Sequence, residues 1–268
     1  MRRCYDSVLI AFSKYFSRYI SHLQGLQSVD CPGITLDVDA FTHLSCVPAL
    51  TQLSFTLSPA LLEQITLSDL PLCFPNLRLL TSNSQFLDPV SRFLSRTQLP
   101  VIRDLNVFIE GYVSKQGHFT FFTNLQASNV GHIILRLRLC QVARSLLMYH
   151  SGNPPPVLCF EDLTPCMAFS NLRHMEIDLE WKVKLTSSEL LVLASAWLHL
   201  EHFFINEEWG WKTPNGITPD GLLHLLQACP SLIVIAINID TRGYHEFRSF
   251  PESLKSIELS TQACHRHR

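Results

Sequence analysis

The 268-residue chain has little charge: 16% of its residues are Asp, Glu, Lys or Arg, with 21 basic residues against 23 acidic ones. The resulting net charge of −2 supplies no electrostatic pull toward nucleic acid or anionic lipid, so neither is expected as a partner. Long apolar runs are missing too. The longest uncharged one, Leu232 to Ile237, is far too short to cross a bilayer, and no membrane association is expected. Arg2 and Arg3 precede the apolar stretch Val8 to Phe12, but Lys14 and Arg18 follow and no small-residue cleavage site does, which argues against a secretory leader. The nine cysteines form no C-x-x-C pair, and most sit singly in apolar stretches, as free thiols in a reducing compartment do. The expected location is therefore cytoplasmic or nuclear. Phosphate loops, dinucleotide-binding glycine fingerprints, zinc-protease helices and nucleophile elbows are all lacking. The chain is accordingly expected to be no enzyme, and to carry no cofactor and no metal.

What is abundant is apolar residues, at 47%, which excludes intrinsic disorder, and leucine, which occurs 43 times and suggests repeats. One pattern recurs: an apolar residue, then apolar residues at the fourth, sixth and eighth places. It reads Leu50, Leu53, Phe55, Leu57; Ile102, Leu105, Val107, Ile109; Val130, Ile133, Leu135, Leu137; Leu172, Met175, Ile177, Leu179; and Leu232, Ile235, Ile237, Ile239. Shorter matches start at Leu23, Leu77, Leu200 and Leu254. Alternation of this kind is a short strand with one buried face.

Helix signals lie between the strands. Thr186-Ser-Ser-Glu189 is a capping box, Thr218 caps a helix that opens on Pro219, and Asp37-Val-Asp39 ends a strand and caps the helix after it. Pro59 and Pro89 are candidates to open two more helices, and Pro48, Pro75, Pro100, Pro230 and Pro251 precede the following strands. A strand and a helix every ~20–29 residues predict an α/β right-handed leucine-rich-repeat solenoid with a curved parallel sheet on its concave face. About nine repeats are expected over 23–268. Val8, Phe12, Tyr15, Tyr19 and Leu23 recur at helical spacing, so 1–22 is expected to be an amphipathic N-terminal capping helix. The wide gap holding Gly152-Asn-Pro-Pro-Pro156 predicts an inserted loop near 150–168.

Several segments resemble the leucine-rich-repeat F-box-like proteins of mushroom-forming fungi. They are Phe169 to Glu180, Leu185-Thr-Ser-Ser-Glu-Leu, Ile205 to Trp211, Gly216 to Leu232 and Ile239 to Tyr244. The resemblance runs from about residue 20 to the end and implies protein–protein recognition, with the repeats holding the substrate of a ubiquitin ligase. It also implies a Skp adaptor–cullin complex as partner, through an F-box ahead of the repeats. Met1 to Leu23 shows no Leu-Pro opening and no Leu/Val-Cys helix, so no adaptor-binding residue carries over. The alternative reading is a repeat-only scaffold or truncated gene product without ligase recruitment, and an enzyme with a dispersed site is a distant third.

In a solenoid, the third, fifth and seventh places of each unit line the open face. They read Gln52, Ser54, Thr56; Asp104, Asn106, Phe108; His132, Ile134, Arg136; His174, Glu176, Asp178; and His202, Phe204, Asn206. Two features make candidates for partner binding. Glu110, Glu180, Glu208 and Asp240 share the ninth place, with Trp181, Trp209, Trp211 and Tyr244 close by, a combination suited to a protein partner with a basic segment. The ordinary alternative is a solvated edge with tryptophans packed under loops. His132, His174 and His202 share the third place near Glu176 and Asp178, which makes a histidine column.

Overall fold

The computed structural model describes residues 12–67, 72–127, 133–142, 155–211 and 216–240. Helix α1 covers 12–20. It is followed by β1 (Ser28–Thr35), α2 (Val38–Ser45), β2 (Gln52–Leu57), α3 (Pro59–Leu67), β3 (Leu72–Cys73), β4 (Leu79–Ser84), α4 (Leu87–Arg96), β5 (Thr97–Gln98), β6 (Asp104–Ile109) and α5 (Lys115–Ala127). Then come β7 (Arg136–Gln141), β8 (Val157–Leu158), α6 (Phe160–Leu163), a 3-10 turn (Thr164–Ala168), β9 (His174–Asp178), β10 (Lys182–Val183), α7 (Ser187–Ala196), β11 (His202–Ile205), α8 (Pro219–Ala228) and β12 (Val234–Ala236).

Eight strands form one parallel sheet in chain order, β1-β2-β4-β6-β7-β9-β11-β12, and β3-β5 and β8-β10 make two small parallel pairs. The fold is thus α/β, with a helical segment between consecutive strands of the large sheet. Alternation decides which side chains go inward: β4 and β6 both run half-buried then buried, residue by residue. Leu53, Phe55, Leu105, Val107, Leu137, Leu139, Met175, Ile177, Phe203 and Ile205 enter a single core with the helices. Under the first strands four phenylalanines interlock. Phe41 lies 5.0 Å from Phe55 and 5.5 Å from Phe74 and from Phe93. Edge-to-face ring pairs of this kind add about 0.5–1.5 kcal/mol each beyond the area they bury.

The helix starts follow their caps. Thr186 and Glu189 bond reciprocally at the head of α7, and Thr218 accepts from Gly221 N at 3.1 Å at the head of α8. Asp37 accepts from Ala40 N at 2.9 Å at the head of α2. These bonds satisfy amides that the first turn of a helix leaves without a partner. Gly221 has no alternative: a Cβ there would run into the Ser187 side chain, which accepts from Thr218 N at 3.0 Å.

Three expectations need correction. In the unit expected to start at Val130, the strand is displaced by four residues. Arg136 stands opposite Asp104 and Leu137 opposite Leu105, so the unit reads Ile134, Leu137, Leu139, Gln141. The first unit is displaced by three, since Ser28, not Gly25, stands opposite Gln52. The stretch expected as a loop near 150–168 holds β8, α6 and the 3-10 turn, with Leu163, Cys166 and Phe169 fully buried. Pro156 itself accepts a hydrogen bond from Lys182 N at 2.9 Å. The match at Leu254 and the tail beyond it lie outside the described residues.

Candidate functional site

The third- and fifth-place side chains of the eight sheet strands stay half-buried or exposed, except Ala236. Across β1 to β6 this face is mostly neutral: Gln52, Ser54, Thr56, Thr81, Asn83 and Asn106. From β7 onward it changes. Arg136 stands opposite His174, and His174 opposite His202. The two imidazole rings lie 5.3 Å apart, and the Phe204 ring is 5.4 Å from His174.

Beside this row, Glu176 receives two hydrogen bonds from Arg138, Nε to Oε2 at 2.6 Å and NH2 to Oε1 at 2.9 Å. The Cys140 thiol donates to Oε1 at 3.1 Å, and His174 Nε2 stands 3.4 Å from Oε2. The Arg138 guanidinium lies 5.7 Å from the centre of the Phe108 ring. Burial alone would raise the Glu176 carboxyl, but the bonds from His174, Arg138 and Cys140 and the Arg138 charge outweigh it and hold it down at about 2. A charged donor pair of this geometry is among the stronger contacts a folded chain makes. The Cys140 thiol is pushed the other way, first by burial and then by Glu176. It therefore stays protonated at neutral pH and offers no nucleophile.

The carboxyl ends of these strands are tied together. Asn206 takes a left-handed conformation (φ 50°), accepts from Leu179 N at 2.9 Å and donates to Trp181 O at 2.9 Å. Gln141 accepts from Glu180 N at 3.0 Å on its side chain and from Trp209 Nε1 at 3.3 Å on its carbonyl. Asp178 is buried and accepts from the backbone N–H groups of Trp209 and Glu208, while its Oδ1 has no partner among the described residues. Burial, and after it the charges of Glu208 and Glu176, push its carboxyl up to about 6.

The predicted residues therefore divide. His174, Glu176, His202 and Phe204 come together on the face. Asp178, at the end of β9, and Asn206, directly after β11, are buried, as bracing rather than as contact groups. Glu110 and Glu208 are exposed at the rim, and Glu180 and Asp240 are half-buried there. Trp181 and Trp211 are core residues, contrary to expectation: they are 1% and 2% exposed, and their indoles donate to Val113 O at 3.0 Å and Ile205 O at 2.8 Å. Trp209 is half-buried on Gln141. Tyr244 and His132 lie outside the described residues, and the place given to His132 belongs to Arg136. The displaced register gives Arg136 the seventh place of its unit, where the structure puts it at the third, and gives Arg138 no role on the face. The signal that finds them is Ile134 three residues before Leu137 and five before Leu139, which repeats the spacing of Ile102, Leu105 and Val107.

Among the described residues no group of three or more His, Cys, Asp or Glu is placed to hold a metal ion, and no helix is long and apolar enough to cross a membrane. No protein-family model matches the chain. No curated protein sequence matches it either. Among solved structures it is similar to the Rad7 and Elc1 complex of yeast at 11% identity, covering 94% of this chain and 86% of that one, with a TM-score of 0.25, a likeness too low to carry an argument.

Proposed function

We propose that the chain is a protein–protein recognition module, built as a right-handed leucine-rich-repeat solenoid that receives its partner on the concave face of the sheet. One observation carries the reading: a row of eight parallel strands keeps its third- and fifth-place side chains, all but Ala236, half-buried or exposed, and those of β7, β9 and β11 form a connected group of arginine, histidine, glutamate and phenylalanine. Aromatic and arginine side chains on a rigid surface are the usual anchors of protein interfaces. The acidic rim, with Glu110 and Glu208 exposed, would receive a basic segment of the partner. By the resemblance stated above, this role is substrate reception for an F-box-type ubiquitin ligase. The reading assigns the chain no enzymatic activity, and its seven free thiols among the described residues suit the cytoplasm or nucleus.

The test is affinity capture of the tagged chain from a fungal lysate, run in parallel with a Phe108→Ser, Phe204→Ser variant. A protein captured by the parent chain and lost by the variant, at equal unfolding temperature, supports the reading. Equal capture by both overturns it. Skp adaptor and cullin among the captured proteins would support the ligase role, and a partner without them would make the chain a scaffold.

A further inference from the structure

The row Arg136, His174, His202 has a charge balance that the rest of the face lacks. The acids near it are already engaged. Glu176 is held by Arg138 through both oxygens, and Glu201, next to His202 in sequence, is held by Arg173 at 3.0 Å. Asp104 meets Arg136 only at 3.7 Å, with the arginine side chain 66% exposed. The groups around His174 are Arg136 and Arg138 on β7, Glu176 on its own strand, and His202 and Phe204 on β11. Around His202 stand His174, Phe204, Glu201 and, on β12, Val234. No acid on β11 or β12 contacts the row among the described residues.

The spacing suits an anionic chain. Adjacent strands lie ~4.8 Å apart, so Arg136 and His202 are separated by about 10 Å with His174 midway. Carboxylates on alternate residues of an extended segment are about 7 Å apart, so two of them laid across the strands reach all three groups. Phe204 stands beside both imidazoles, 5.4 Å from His174 and 6.3 Å from His202.

We propose that this row is the docking site for a carboxylate-rich segment of the partner, running across β7, β9 and β11, and that its binding is coupled to proton uptake by the imidazole of His202. The inference rests on the reading of this face as a docking surface. His202 is held below the ordinary imidazole value by burial first, and then by the neighbouring His174 and Arg136. An anion across the row screens those two charges from it, so bound anion and bound proton favour each other. Binding tightens as pH falls below neutrality.

The experiment is fluorescence anisotropy of a labelled hexaglutamate peptide with the full chain at pH 7.5 and pH 5.5, at fixed low salt. The expected result is at least tenfold tighter binding at pH 5.5. Loss of that difference in a His202→Gln variant, and weaker binding at both pH values in Arg136→Ser, complete the expectation. Equal affinity at the two pH values, no binding at either, or an unchanged pH effect in the His202→Gln variant overturns the proposal. Circular dichroism confirms that each variant is folded. The Phe108 and Phe204 capture test does not touch the row's charges. Intact, Phe-dependent capture beside absent hexaglutamate binding defeats this proposal alone, and Phe-independent capture defeats the docking reading.

Discussion

The large-sheet strands β1, β2, β4 and β6 and the large-sheet strands β7, β9, β11 and β12 share one sheet and one continuous core, yet present different chemistry. The first set shows mostly amides and hydroxyls, such as Gln52, Ser54, Thr81 and Asn106, with Asp30, Asp104 and Phe108 among them, and Asn106 Nδ2 donates to Thr81 Oγ1 at 3.2 Å. The second set shows Arg138 clamped on Glu176, two neighbouring imidazoles tilted 37° to each other, and Phe204. Inward places are set by packing and vary little between the halves. Outward places are free of that constraint, and recognition chemistry collects there.

That contrast can be broken or sharpened by measurement, and the core shows the largest effects. Phe55→Ala under the first strands and Trp181→Ala under the later ones should each cost about 3–5 kcal/mol in denaturant unfolding. Similar losses would mean that the two halves hold together equally and differ only on the face. A loss confined to one would mean that the core is divided.

Acid sensitivity comes next, and it belongs to the later strands. Glu176 ordinarily titrates near 4.5 and is held at about 2, so its contribution is present above about 4.5 and is lost as pH falls to about 2. Glu176→Gln should cost about 2 kcal/mol at pH 7 and nothing near pH 2. His118 lies buried in α5, its ring 4.7 Å from Phe122 and 5.0 Å from Trp181, with neither ring nitrogen bonded among the described residues. Burial, and second to it Lys115, push it from 6.5 down to about 3. Its neutral form costs nothing extra above 6.5, but the unfolded chain takes up a proton below that, so stability drains as pH falls from 6.5 toward 3. His118→Leu should therefore stabilise the fold at pH 5 by about 2 kcal/mol relative to its effect at pH 8, in thermal melts at both.

The smallest effect tests the neutral face. Thr81→Ala with Asn106→Ala should change stability by less than about 0.5 kcal/mol and leave partner capture intact. A loss of capture would extend the binding surface over the whole sheet.

The strands were legible where all four apolar places are filled, as in Ile102, Leu105, Val107, Ile109. They were misread where a polar residue takes an inward place or a neighbouring run imitates the pattern. Gln141 closes the unit at Ile134, while Val130, Ile133, Leu135 and Leu137 satisfy the pattern four residues early. A two-residue period tolerates such slips, because any even shift keeps the same faces. That slip moves Arg136 from the third place to the seventh, takes Arg138 off the face and puts His132 in the third-place column. The caps at Asp37, Thr186 and Thr218 were readable because their partners lie within three residues. The fate of Trp181 and Trp211 was not, because it depends on Val113 and on the turn between Asn206 and Gly210, contacts that local spacing does not carry.

The ties at the carboxyl ends of β7, β9 and β11 amount to a row of rivets. Asn206 joins β11 to the backbone after β9, Gln141 joins β7 to both, and Asp178 pins the turn that carries Trp209. The opposite margin, at Arg136, His174 and His202, is tied by backbone amides instead: His174 N donates to Leu135 O at 3.0 Å and His202 N to Arg173 O at 2.9 Å. A visitor pressing on the face therefore meets a plate held along both margins, by side chains on one and by main chain on the other.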